Sequence, residues 1–486
     1  MTNKQLQPLD RSLAPKPELP VKVLQFGEGN FLRAFVDWII HRMNEELDFG
    51  AGVAVVQPID RGLVKLLNQQ DGLYTLYLNG LKNGEVVTEH ERIECIQRSV
   101  DPYEDFAAYL REAENPDLRF IISNTTEAGI AFDEKDTMDS APPASFPAKL
   151  TVFLYHRYTR FRGAADKGCI VMPCELIDRN GDKLRTCIEQ YADLWDLGDA
   201  FVKWLENDCI FCNTLVDRIV PGYPRDRIEA IWEELGYRDQ LVSEGEQFHL
   251  WVIEAPRRVA EEFPADRAGL NVLFTDDMTP YRTRKVRILN GAHTSMAPVA
   301  YLHGIETVRE AVEDDLIGPY IRKLVFEEII PTLDLPEEEL VSFANDVLDR
   351  FRNPFIKHYL ISIALNSTSK FQTRVLPSLL EFRNRTGRLP RRLVFALAAL
   401  IRFYKGEIDG KQIALNDDAD RIEFLQGLWL LFDQKDIDLH GLVGAVLKKV
   451  AYWEEDLREV EGLQTLTTIF LGRILDGGIR GGLKEL

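Results

Sequence analysis

The sequence predicts an α/β domain built on a parallel sheet, followed by a mainly α-helical domain. Three observations carry that prediction. Short apolar runs alternate with amphipathic stretches through the first half of the chain. The first apolar run ends in a Gly-x-Gly turn. From about residue 280 onward, helical periodicity takes over and strand-like runs become rare. The 486 residues are 45% hydrophobic and 28% charged, an ordinary globular composition long enough for more than one domain.

The elements follow in order. Lys22 to Phe26 reads as a buried strand closing on Gly27, and Phe31, Leu32, Phe35, Trp38 and Ile39 then recur at helical spacing. Val53 to Val56 is a second strand, followed by a helix and the strand-like Leu-Tyr-Thr-Leu-Tyr-Leu (73–78), with Asn83-Gly84 as a hairpin turn. A helix over 103–114 leads to the strand 119–123, and a helix over 148–162 leads to the apolar stretch 169–176. This order predicts a parallel sheet with helices on both faces. The segment 274–281 is the junction, giving domains 1–278 and 279–486. The second is predicted to contain helices over 307–333, 338–352, 355–366, 390–404 and 440–458.

A formal net charge of −20 argues against a nucleic-acid partner, which needs concentrated positive charge. No apolar run approaches the ~18 residues that span a bilayer, so no membrane partner is expected. The N-terminus lacks the apolar core of a signal peptide, which points to the cytoplasm. The six cysteines are Cys95, Cys169, Cys174, Cys187, Cys209 and Cys212. They are too sparse for a disulfide scaffold, and the Cys209–Cys212 pair has no second pair, so all are expected to be packed thiols. The histidines do not cluster, and no metal centre is expected.

The turn after the first strand has the context of a Rossmann-type dinucleotide site. Gly27 permits the tight turn, and Gly29 lets backbone N–H groups approach a pyrophosphate. The third glycine of the fingerprint is replaced by Leu32. Asp60, beyond the second strand, is placed to accept hydrogen bonds from ribose hydroxyls and to favour NAD over NADP; Arg61 keeps a phosphate-pairing alternative open.

The segment Lys285 to His293 carries the reactive groups. At about 100° per residue, Lys285, Asn290 and His293 fall within an arc of roughly 140° on one helix. Reduction of a ketone needs a proton donor for the developing alkoxide, and the reverse reaction needs a base. A lysine serves both when burial and neighbouring positive charge, here Arg282 and Arg284, lower its pKa. A basic helix face with a capping asparagine and a core histidine accounts for the same spacing.

Several segments together resemble the polyol-specific long-chain dehydrogenases, the mannitol dehydrogenase family. They are GEGNFLRAF (27–35), DGLYTL (71–76), SNTTEAG (123–129), VDRI (216–219) and K-x4-N-x2-H (285–293). Further segments, PCELIDRNGD (173–182), RFRNPFIKH (350–358) and ALNSTSKFQTRVLP (364–377), are similar to its sugar-acid branch. The resemblance implies a metal-independent, NAD-dependent oxidoreductase acting on a small sugar acid. Gly27, Gly29, Asn30, Phe31, Arg33 and Asp60 would meet the dinucleotide. Lys285 would be the general acid/base, Asn290 would polarise the reacting oxygen and His293 would contact substrate. Asp217 would border the substrate and Lys370 would touch it. Lys370, with Arg374 or Lys357, would pair with a terminal carboxylate. Two positions depart from the mannitol-type pattern, Leu176 for a second oxyanion asparagine and Ser362 for an arginine. Neutral-polyol activity, a sister sugar acid, and a non-catalytic NAD sensor are the alternatives.

Overall fold

The structure, a computed structural model, describes residues 6–82, 84–126, 128–408, 410–484 and 486. It divides into two compact units. One holds Met1–Gly80 and Val86–Met278, the other Leu81–Glu85 and Thr279–Leu486.

Eight strands open the first unit: β1 (Val21–Phe26), β2 (Gly52–Val56), β3 (Tyr74–Lys82), β4 (Glu85–Ile93), β5 (Ile96–Val100), β6 (Phe120–Ser123), β7 (Ile170–Pro173) and β8 (Ile210–Phe211). Six form a parallel sheet in the order β5-β2-β1-β6-β7-β8. β1 therefore lies beside the point where strand order reverses, the crevice where α/β sheets bind ligands. Successive side chains feed two separate cores. Val23, Val53, Val55 and Ile122 face the helix Val36–Leu47. Leu24, Phe26, Ala54 and Ile121 face the helices Phe106–Ala113, Phe146–Arg160 and Asn180–Leu194. Each fully buried Val, Leu, Ile or Phe stabilises by about 1.5–3 kcal/mol, which is why these strands are apolar on both faces. Helix starts are set locally: Asp105 and Ser145 accept the N–H groups of Ala108 and Ala148.

Four further strands, β9 (Asn213–Asp217), β10 (Ser243–Glu246), β11 (Leu250–Glu254) and β12 (Val272–Thr275), have no counterpart in the sequence reading; β9, β11 and β12 make one side sheet, and β10 joins the expected hairpin strands β3 and β4 in a second. Their orders are β12-β11-β9 and β10-β3-β4. Gly84 takes the positive φ (80°) of a turn residue, while Asn83 lies outside the described residues. The helix after β1 is also interrupted: Asn30–Ala34 ends at Phe35 (φ −129°, ψ −71°) before Val36–Leu47 begins.

The second unit is helical, centred on Arg391–Phe403, whose residues Leu393 to Ile401 are all buried. Leu463–Leu483 and Gly291–Leu302 pack against it. The helices Glu337–Phe351 and Arg391–Phe403 match the sequence expectation; three others do not. The predicted 307–333 helix breaks after Glu313, because Asp314 turns its carboxylate onto the N–H groups of Leu316 and Ile317 and starts a new helix. Over 355–366 only Leu360–Ile363 is helical, since Val308 N–H bonds the His358 carbonyl and Leu360 N–H bonds that of Glu306, holding this stretch extended. The 440–458 segment splits into Leu439–Leu447 and Val450–Trp453, ended by Glu454 in the left-handed region. No helix among the described residues is long and apolar enough to cross a membrane. All six cysteines are buried and unpaired.

Candidate active site

The turn after β1 is built around Gly27 at φ +118°. Its N–H bonds the Val56 carbonyl at 3.0 Å, and a Cβ there would stand 3.0 Å from both the Asn124 carbonyl oxygen and Leu32 Cδ1. Leu32 thus fills the space beside Gly27, which explains a side chain in the third glycine's place. Gly29 is exposed and has nothing within 4 Å of a Cβ position, leaving room for a ligand at the start of the next helix. A crowded first glycine and an open second one suit a pyrophosphate.

The neighbouring candidates divide. Asp60 and Arg61 are exposed in the loop after β2, and Asp60 makes no hydrogen bond or ion pair among the described residues. Asn30 Oδ1 accepts from Arg33 Nη2 at 2.7 Å, and Phe31 stacks on Phe35 at 5.1 Å. Arg33 points inward: it is buried over Tyr74, donating to the carbonyls of Glu28 and Leu241. These bonds tie the turn at Glu28 to the segment that carries Leu241. Asp217 is buried at the end of β9, opposite Leu250.

In the second unit, one helical run extends from Thr279 to Leu302, but its middle, Lys285–Asn290, is a π-helix. This corrects the uniform spacing assumed from sequence. An i→i+5 pattern makes residues five apart neighbours on one face, so Lys285 and Asn290 draw closer in azimuth than an α-helix allows. Such turns concentrate at functional sites. Both residues are half-buried. Arg284 is buried against the rings of Phe343 (4.4 Å) and Tyr281 (5.2 Å), so it anchors the helix.

His293, one turn on, stacks on Phe351 at 4.3 Å and meets His358 edge to face at 5.0 Å. Its Nε2 is closed off from solvent and has no hydrogen-bond partner. Desolvation, then the charges of His358, Arg350, Arg374 and Lys370, holds the imidazole well below its usual pKa, so it stays neutral.

The helix Ser367–Arg374 lies against this run. Arg287 Nη1 donates to the Thr373 carbonyl at 2.8 Å, and the Arg374 carbonyl sits 3.2 Å from where a Cβ on Gly291 would stand. Glycine at 291 permits that approach. Lys370 donates to the Ile363 carbonyl at 3.0 Å, and burial lowers its pKa. The half-buried Arg374 guanidinium has no hydrogen bond or ion pair among the described residues. The second unit thus groups an amine, an amide and a neutral imidazole on one helix, with a cation cluster beside the imidazole. An anionic end-group would complement that cluster. Leu176 and Ser362, the two departures, are exposed. Phe351, His358 and Arg350 come from the segment 350–358, in which the sequence reading assigned a role to Lys357 alone.

Residues 21–266 match the family described as the Mannitol dehydrogenase Rossmann domain, and 277–470 the Mannitol dehydrogenase C-terminal domain. A Yersinia enterocolitica protein named altronate oxidoreductase is 50% identical over 479 residues, 98% of this chain and 99% of its own. A Bacteroides thetaiotaomicron protein of the same name is 50% identical over 483 residues, 99% and 100% of the two chains. Among solved structures, substrate-free D-sorbitol dehydrogenase aligns with a TM-score of 0.81 at 21% identity, covering 98% of this chain and 100% of its own. The ternary complex of Pseudomonas fluorescens mannitol 2-dehydrogenase with NAD and D-mannitol gives 0.63 at 23% identity, covering 99% of each. At those identities the likeness is one of fold.

Proposed function

The chain belongs to the mannitol dehydrogenase family, oxidoreductases acting on CH–OH groups, and from that premise we propose that it reversibly reduces D-tagaturonate to D-altronate with NADH. The observation that carries the choice is identity near one half, over essentially the whole chain, to relatives named altronate oxidoreductase. The cation cluster around His293 supports a sugar acid over a neutral polyol, because a polyol offers nothing to neutralise Arg374.

In this reading residues 1–278 hold the dinucleotide, with Gly27, Gly29, Asn30 and Phe31 at the pyrophosphate turn, Arg33 bracing it and Asp60 at the ribose. NADH, when held there, would supply the hydride that the ketone carbon takes up. Residues 279–486 do the rest. The Lys285 ammonium gives its proton to the ketone oxygen as charge develops there, becoming a neutral amine that takes a proton back from water. The Asn290 amide N–H hydrogen-bonds the same oxygen. His293, held neutral between Phe351 and His358, orients the sugar. Lys370 and Arg374 pair with the carboxylate. In the oxidative direction Lys285 acts as the base. The six unpaired thiols fit work in the reducing cytoplasm.

The test is loss of NADH absorbance on mixing the protein with tagaturonate, fructuronate and fructose in parallel. Preference for tagaturonate supports the reading. Preference for fructuronate or fructose moves the chain to a sister activity, and no loss with any of them makes it a non-catalytic NAD-binding protein.

A further inference from the structure

Glu28, the middle residue of the Gly-x-Gly turn, is the one member of that motif whose side chain is free to vary in the fingerprint. Here it is only 7% exposed. Its Oε1 accepts the N–H of Leu63 at 3.2 Å, reaching from the turn after β1 to the loop after β2. The approach is so close at Gly62 that a Cβ there would stand 1.8 Å from Glu28 Oε1 and 2.6 Å from Gln57 Oε1. Only glycine at 62 lets both side chains lie where they do. Gln57 clasps the same loop from below, donating to the Ile59 carbonyl at 3.0 Å and to Asp101 Oδ2 at 3.1 Å. The other end of the bridge is equally fixed, because Arg33 Nε holds the Glu28 carbonyl at 3.1 Å and Gly27 N–H holds that of Val56.

The loop held in this way carries Asp60, exposed and free of hydrogen bonds among the described residues. A dinucleotide that places its pyrophosphate on Gly27–Gly29 and its adenosine ribose on Asp60 spans the two segments that Glu28 joins. We infer that Glu28 is a positioning residue for the cofactor: its carboxylate latches the ribose loop to the phosphate turn and so sets the affinity for NADH. The inference rests on the reading of this turn as a dinucleotide site. A carboxylate that only filled space would need neither a hydrogen bond to Leu63 nor a glycine beneath it.

The experiment is fluorescence titration of NADH, without substrate, into wild type, Glu28→Gln, Glu28→Ala, Gly62→Ala and the Glu28→Ala/Gly62→Ala double variant, with kcat and KM measured on the same proteins. Loss of a hydrogen bond to a charged acceptor predicts that Glu28→Ala weakens NADH binding by about tenfold or more, with the loss in Kd and in the KM for NADH rather than in kcat. Glu28→Gln keeps an acceptor for Leu63 N–H and should retain most of the affinity. Gly62→Ala should resemble Glu28→Ala by expelling the carboxylate, and the double variant should bind no more weakly than the poorer single one, because both break one contact. Gly62→Ala carries the test if Glu28→Ala does not fold. Wild-type affinity in Glu28→Ala or Gly62→Ala, or additive losses in the double variant, would overturn the latch and leave the dinucleotide site standing. Failure of wild type to bind NADH would overturn both.

Discussion

The rings of His293 and His358 meet edge to face, 5.0 Å between centroids at 77°, while Phe351 stacks on His293 at 4.3 Å. The pair keeps His293 Nε2 away from water in a neighbourhood that already holds Arg350, Lys370 and Arg374. A protonated imidazole there would face desolvation and those three like charges.

That placement fixes a pH dependence. The folded-state pKa of His293 lies below the unfolded value of about 6.5, so the neutral ring's contribution to stability is complete above about pH 6.5 and is lost as pH falls below it. His358, lowered by burial, has the same sign. Melting temperatures of wild type and His293→Asn, compared at about pH 7.5 and pH 5, should show the wild-type advantage shrinking toward acid. An advantage that grows toward acid contradicts a neutral His293.

Lys370 and Arg374 stand one helical turn apart on Ser367–Arg374. Replacing either with Met should raise the KM for tagaturonate by about tenfold or more, since a charge-assisted pair is lost. The KM for NADH should stay within about twofold. Steady-state kinetics with each substrate varied in turn checks this, and equal effects on both would remove the carboxylate assignment.

Asp60→Asn removes the exposed charge beyond β2 while keeping its shape. NADH affinity should fall and NADPH affinity rise, narrowing the preference by about tenfold, because a 2′-phosphate no longer meets a carboxylate. Titration with both cofactors reads the ratio; an unchanged ratio would shift the role to Arg61 or elsewhere.

Gly181 opens the helix Asn180–Leu194, and a Cβ on it would stand 2.3 Å from the Cys212 carbonyl oxygen. Backbone cannot yield as a side chain does, so Gly181→Ala should destabilise by about 1–3 kcal/mol despite alanine's better helix propensity. Thermal melts measure it, and a gain in melting temperature would show that this helix can shift outward.

The parallel sheet was legible because strands buried on both faces read as continuous apolar runs, as Val53 to Val56 does. β10, Ser243–Glu246, was not, because four polar and small residues carry no periodic signal and become a strand only by pairing with β3. In the second unit, amphipathic spacing marked helical content but not its breaks; Asp314 ends one helix through side-chain bonds that periodicity does not register. At the site, the spacing of Lys285, Asn290 and His293 was visible, whereas the π-turn between the first two was not, since a period of 3.6 was presumed. The neighbourhood of His293 comes from residues more than fifty positions away, brought there by packing. Glu28 was hidden as the unspecified middle of a motif.

In the proposed mechanism Lys285 moves the proton. The most direct test is the turnover of Lys285→Met with tagaturonate and saturating NADH, together with NADH binding to the same protein. General acid–base catalysis contributes about 10²–10⁴-fold, so kcat should fall by that factor while the Kd for NADH stays near the wild-type value. A Lys285→Met enzyme that turns over within about threefold of wild type would exclude Lys285 as the proton carrier.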